Sequence, residues 1–243
     1  MLRLRVKAPF AAFRPFTTGA FRPTAPFLTP SAAYGLILNV AGIESRCDGG
    51  FSVMTRMRSG LPRVELAIGT IRWPIETHSI YQQLHNYPVG STGQETDAKS
   101  GEKGPPARAK GNKYNIQPVR REFLSGIDAY ICLRKNEDLA ARVRAGLREG
   151  ARSRVEGRPR YGIPFLGDNN FMVDVLREET EGPNPARWLV RVKPSSGMKE
   201  EYFRLTVSID RSDNTRTRTE CYRWTEEPQT DPPEEGWTVC GSE

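Results

Sequence analysis

Two dipeptides near the start of the chain, Phe13-Arg14 and Phe21-Arg22, each set an aromatic ring beside a guanidinium. Unpaired nucleobases are held by stacking on such planes, while arginine charge neutralises phosphate. Both dipeptides precede a helix start at Ser31, where backbone amides and a partial positive charge can hold an anion. Tyr34 adds a ring within that helix, and Lys7 a cation ahead of it. The competing reading places phenylalanines in a core beneath the loop, and it applies most readily to Phe10, Phe16 and Phe27. Arg14 and Arg22 fit that reading less well.

Other polar groups cluster further along. Arg120 and Arg121 are adjacent near the start of a β-rich run. Strand neighbours face opposite ways, so one of the two can reach a polyanion while the other pairs with Glu122 or solvent. The run RYGIPFLGDNNF, Arg160 to Phe171, is punctuated by Gly162 and Gly167 and ends on Asn169 and Asn170. Its backbone could approach a phosphate or base, with the asparagine amides reading base edges; equally, it could be a turn held by Asx hydrogen bonds.

Positioning these groups requires a mixed α and β framework. Met1 to Lys7 alternates Leu2, Leu4 and Val6 with Arg3, Arg5 and Lys7, the period of a strand. Prolines from Pro9 to Pro30 forbid a helix there, and Thr29-Pro30-Ser31 then opens one, with Leu36, Ile37, Val40 and Ala41 as its stripe and Gly42 as its stop. Val64 to Ile71 reads as a strand, and Ile75 to Leu84 as a strand end or short helix. Hydrophobicity collapses from Pro88 to Asn112, the signature of an insertion outside the core and the segment expected to be least ordered. Tyr114 to Leu124 and Ile127 to Leu133 look like a hairpin around Ser125-Gly126. A helix capped by Asn136 follows, with Leu139, Val143 and Leu147 on one face. Arg187 to Val192, Tyr202 to Ile209 and Thr219 to Trp224 read as strands, and the Pro- and Glu-rich stretch from Glu226 to Gly236 as loop or disorder.

Composition narrows the function. Residues 1–170 hold 26 Lys and Arg against 14 Asp and Glu, a net charge of +12, whereas residues 171–243 hold 10 against 15, a net charge of −5. A basic body with an acidic end suits a polyanion on one side and a protein neighbour on another, although a solvated basic surface would look the same. Cys47, Cys132, Cys221 and Cys240 form no CxxC pair, and with only two histidines in the chain no metal or cofactor is expected. The opening residues lack the apolar block of a signal peptide and no run is long enough to span a bilayer, so the chain reads as cytoplasmic with no membrane partner.

Four segments carry a family resemblance. KAPFAAFRPFTTGAFRPTAPFLTPSAAYGLILNVAGIE, Lys7 to Glu44, resembles the opening of the CRISPR-associated Cas-five proteins of the RAMP superfamily. SIYQQLHNYPVG at Ser79 to Gly90, GNKYNIQPVRREFL at Gly111 to Leu124 and RYGIPFLGDNNF resemble its Myxan/DevS-like subtype. Beyond about Glu178 nothing specific is recognised. The resemblance implies an α+β, ferredoxin-like fold related to RNA-recognition domains over residues 1–178, with a flexible thumb at 88–113 and a smaller β-rich region over 179–243. It further implies a non-catalytic subunit of a type I Cascade complex that caps the 5′ handle of the CRISPR RNA. Its partners would be the backbone subunit, the large subunit and, through the assembled complex, target DNA.

Lys99, Lys103, Lys110 and Lys113 would then lie on a thumb meeting RNA backbone, beside Tyr114. Some members of the wider family cut precursor RNA without metal, using Tyr, Lys and His. His85, Tyr87 and Lys113 are the candidates here, although their spacing does not match the cutting subtype. A general RNA-recognition domain would carry an aromatic strand motif that this chain lacks. A pure protein adaptor, the remaining alternative, would show no salt-sensitive RNA affinity.

Overall fold

Leu2, Leu4, Val6 and Ala8 are buried along the first strand, as the period-two pattern requires, and the rest of the fold is built outward from it. The computed structural model describes residues 1–15, 21–47, 56–86, 94–96, 103–106, 115–150, 154–155, 158–159, 164–168, 170–193, 201–210 and 213–241; for 56, 83–86, 94–96, 103–106, 115–118, 154–155, 158–159 and 214 the backbone alone is described. In chain order the elements are β1 (Leu2–Ala11), β2 (Phe21–Arg22), α1 (Pro30–Val40), β3 (Arg46–Cys47), β4 (Arg56–Met57), β5 (Val64–Thr70) and β6 (Glu76–Asn86). There follow β7 (Gln94–Thr96), β8 (Lys103–Pro106), β9 (Asn115–Arg134), α2 (Glu137–Glu149), β10 (Arg154–Val155) and β11 (Arg158–Pro159). The last elements are β12 (Val175–Glu178), β13 (Arg187–Val192), β14 (Phe203–Ser208), β15 (Arg218–Trp224) and β16 (Thr238–Cys240).

The chain divides into two units, one of residues 1–15, 24–78 and 123–243, the other of residues 16–23 and 79–122, so that β6 and β9 run through both. In the larger unit an antiparallel sheet has the order β12-β1-β9-β5-β13-β15-β14, with β16 also on β5. One face is covered by the two helices. Leu2, Leu4, Val6, Leu66, Ile68, Ile131 and Leu133 share a core with Ala33, Leu36, Ile37 and Val40 of α1 and with Leu139 and Val143 of α2. Both helices start as the sequence dictates: the Thr29 hydroxyl accepts from the Ala32 amide, and the Asn136 side chain accepts from the Leu139 amide.

The opposite face carries a second core of Ala67, Tyr130, Cys132, Ala186, Trp188 and Trp237. Here the segment from Glu226 to Gly236, expected to be loop or disorder, is a loop tied to the sheet at a few points. Ala186 and Gln229 form an isolated bridge, Glu234–Gly236 is a single 3₁₀ turn, and Trp237 is buried. Trp237, directly after the segment, anchors its end by burying a large ring. Arg134 reinforces the tail by lying 4.2 Å over the Trp237 ring and by pairing with Glu234.

The hairpin expected at Ser125-Gly126 is not formed. Residues 115–134 are one strand, in which Gly126 takes a φ of 63° and keeps the chain extended instead of reversing it. The Ile75 to Leu84 segment resolves as strand β6. Within the insertion, β7 and β8 pair antiparallel, Gln94 with Pro106 and Thr96 with Lys103; the rest of it lies outside the described residues. No described helix is long and apolar enough to cross a membrane.

Candidate nucleic-acid interface

The larger unit presents a surface of rings. Phe10, at the end of β1, is 43% exposed and meets Phe123 of β9 edge-on at 5.4 Å between centroids. Phe171 tilts against both, at 6.1 Å from Phe10 and 5.9 Å from Phe123. His78 stacks on Phe123, 5.3 Å away with the planes 25° apart. A polar relay orients the imidazole: Nε2 shares a 2.8 Å hydrogen bond with the Ser125 hydroxyl, which donates to Glu76 at 3.1 Å. Arg72 lies over the bare α-carbon of Gly126, a position that any side chain there would claim, and is 3.9 Å from Glu76. Arg14 sits at the other side, about half exposed, with Nη2 at 3.4 Å from Asp168. Offset and edge-on rings of this kind expose π-faces on which bases stack, and the flanking guanidiniums suit phosphate.

The smaller unit carries a separate pairing of ring and guanidinium. Phe21 and Arg22 form β2, running parallel to β9 opposite Arg120 and Arg121. Arg120 is exposed, lies 4.9 Å over the Phe21 ring and donates from Nε to the Ser79 hydroxyl at 2.9 Å. Arg121 is buried and reaches Gln82. Strand alternation thus turns the two neighbours to opposite sides. Arg22 is half-buried, and Tyr81 is the most exposed large hydrophobic side chain among the described residues.

Several expected contacts are placed differently. Phe13 is 3% exposed and belongs to the core, with its amide donating to the Thr24 hydroxyl, so it has no face for a base; Phe10 takes the exposed position instead. Phe27 is core, as the competing reading had it. Tyr34 is also buried; its hydroxyl donates to the Pro62 carbonyl, and burial raises its pKa. At the start of α1, Pro30 has no amide hydrogen and Thr29 takes the amides of Ala32 and Ala33, which leaves little for a phosphate beside Ser31. The Ser31 hydroxyl is itself bonded to Thr29. Lys7 is partly exposed and 3.3 Å from Asp128, which also takes two hydrogen bonds from Arg5.

In the glycine-containing loop, Gly167 has a φ of 79° and packs against the Ala12 carbonyl, where no Cβ could fit. Its freedom serves the join between loop and strand. Asn170 donates from both its backbone and side-chain nitrogens to Asp168, so the Asx-turn reading holds for that residue. Gly162, Asn169, Lys110, Lys113, Tyr114 and Tyr87 lie outside the described residues, and His85 is described by backbone alone.

Sequence reasoning missed Phe123, Phe171, His78 and Arg72 as members of a site and gave Phe10 to the core. A signal was present for Phe123: alternation sets it on the same face as Ser125, and a polar residue there means that the face has left the core. Among the described residues no cluster of His, Cys, Asp and Glu could hold a metal. The Cys132 and Cys240 thiols are pushed up by burial, to about 11 and about 12, which keeps them protonated and inert.

Similarity to known proteins agrees with this architecture. A chain of a solved "CRISPR RNA-guided surveillance complex" superposes with a TM-score of 0.56 at 15% identity, covering 93% of this chain and 90% of that one. A "Crystal structure of Cas protein" superposes with a TM-score of 0.46 at 13% identity, covering 94% and 95%. No curated protein matches the sequence. Residues 1–213 match the family described as CRISPR-associated protein (Cas_Cas5). The sequence match makes this a CRISPR-associated protein. Within that class, the chain belongs to the Cas-five family.

Proposed function

We propose that this protein is a non-catalytic subunit of a type I Cascade complex of the Myxan/DevS-like subtype, which caps the 5′ handle of the CRISPR RNA and contacts the backbone and large subunits. One observation carries the reading: exposed Phe10 and His78 pack with half-buried Phe123 and Phe171 into one ring cluster flanked by Arg14 and Arg72, an arrangement suited to base stacking with phosphate contacts at its ends. Arg120 over Phe21, with Arg22, offers the same chemistry in the smaller unit. The order βαββαβ, traced through β1, α1, β5, β9, α2 and β12 with the sheet order β12-β1-β9-β5, supports a ferredoxin-like body. The insertion at 88–113, with Lys99, Lys103, Lys110 and Lys113, is assigned as the thumb.

The test is to purify the assembled complex and sequence the bound RNA from its 5′ end. A uniform repeat-derived end, lost when Phe10→Ala and Phe123→Ala are combined, is the expected result; random RNA, or none, would remove the assignment. His85→Ala is expected to leave precursor processing in the host unchanged, because the subunit is assigned no cutting role.

A further inference from the structure

Trp73, in the turn between β5 and β6, is 48% exposed, yet it is held in place. Its ring meets Trp224 edge-on at 5.6 Å, and Trp224 in turn packs on the buried Phe27 at 5.1 Å. Arg187 of β13 lies 5.0 Å over the Trp73 ring. That guanidinium is anchored by main-chain carbonyls, donating to those of Thr225 at 3.1 Å and Glu226. Carbonyl oxygens fix the group without cancelling its charge, and among the described residues Arg187 has no ion pair. The neighbouring Arg72 is about half exposed and has only the distant Glu76 as a carboxylate partner in the structure described.

The geometry points to Trp73 as a second stacking station, in which the indole takes a nucleobase of an unpaired strand while Arg187 and Arg72 draw its phosphates. This rests on the nucleic-acid reading above and extends it to Trp73 and Arg187, which lie outside the Phe10–Phe123 surface, with Arg72 shared between the two. A fixed indole loses little freedom on binding, and indole is the best ring for a cation held over one face. The station also adjoins the ring surface, because Arg72 overlies Gly126, next to the Ser125 that orients His78. A protein segment could use an exposed Trp and Arg pair as an anchor. The two guanidiniums without a close carboxylate favour a polyanion instead.

The experiment uses the full chain and a short unstructured RNA, with a DNA of the same sequence as a second arm to separate a guide strand from a displaced target strand. RNA should quench tryptophan emission, and Trp73→Phe should remove most of the quench while largely retaining binding, since Trp188 and Trp237 are buried and Trp224 is half-buried beneath Trp73. Trp73→Ala should weaken binding about tenfold, within the range for one lost stacked base. Arg187→Gln should lower the slope of log affinity against log salt by about one unit. Full quenching in Trp73→Phe, or unchanged affinity in Trp73→Ala, overturns the station. So does a shift of Trp73 emission on mixing with RNA-free partner subunits but not with RNA, which would make it a protein anchor. Loss of the Phe10 and Phe123 rings tests the other surface alone, so either can fail without the other.

Discussion

Phe10 and Phe13 are three residues apart and the structure gives them opposite tasks, which makes them a clean pair for mutation. Phe13→Ala removes a buried ring and is expected to cost about 3–5 kcal/mol, read as a fall in urea midpoint with a proportionate loss of folded protein. Phe10→Ala removes a half-exposed ring, so the midpoint should hardly move while RNA affinity, measured by fluorescence anisotropy, falls about tenfold. Identical stability losses in the two variants would contradict the burial described. Arg14→Ala should flatten the salt dependence of RNA binding by about one unit, because its only described carboxylate partner, Asp168, is loosely held at 3.4 Å. Composition could nominate the arginines and rings. It could not say which ring faces out, since that depends on where β1 ends against the loop of Gly167.

At the level of elements, the capped helices and the alternating strands were legible because local signals and the tertiary fold agree: Thr29 and Asn136 cap, and the apolar stripes of α1 and α2 lie in one core. The false hairpin arose because Ser125-Gly126 is a strong local turn signal that the pairing of β9 with β1 and β5 overrides. The polar tail is a loop, as its composition reads, and the bridge at Gln229 and the buried Trp237 that follows it fix it to the sheet. A carboxylate clamp joins β5, β9 and that tail: Arg134 bonds both Glu65 and Glu234, and Lys135 bonds Glu65. Partial burial alone would raise the pKa of Glu65, but the bonds from Lys135 and Arg134 outweigh it and the net shift is downward. The bond from Arg134 lowers Glu234 likewise. A lowered folded pKa means stability that is present above the ordinary carboxylate range and lost as pH falls through the folded values. Thermal denaturation followed from neutral pH to below about pH 4 should therefore show a decline that Glu65→Gln blunts; an identical acid profile in that variant would remove the clamp from the account.

Across the whole molecule, charge is divided as +12 over residues 1–170 and −5 over residues 171–243. RNA binding should accordingly be steeply salt-dependent, whereas contacts made through the acidic end should respond less to added salt. Titrating the purified complex with salt should release RNA before protein subunits if the basic body holds the guide; simultaneous release would place the same charges in both contacts. The family was legible from four segments of sequence, because each carries a dense local order of rings, glycines and prolines. The placement of the rings was not, since it arises from strand register between residues more than a hundred positions apart.

That long reach has a bearing on synthesis. One side of β5 is divided between two late strands, β16 beside Val64 to Leu66 and β13 beside Gly69 and Thr70. A ribosome making the chain in order delivers β5 long before either companion, so its amides and carbonyls wait unanswered while well over a hundred further residues emerge. Such a strand is a target for stray pairing with a neighbouring nascent chain. Yield in cells should then depend more on holdase capacity and elongation rate than on the stability of the finished protein.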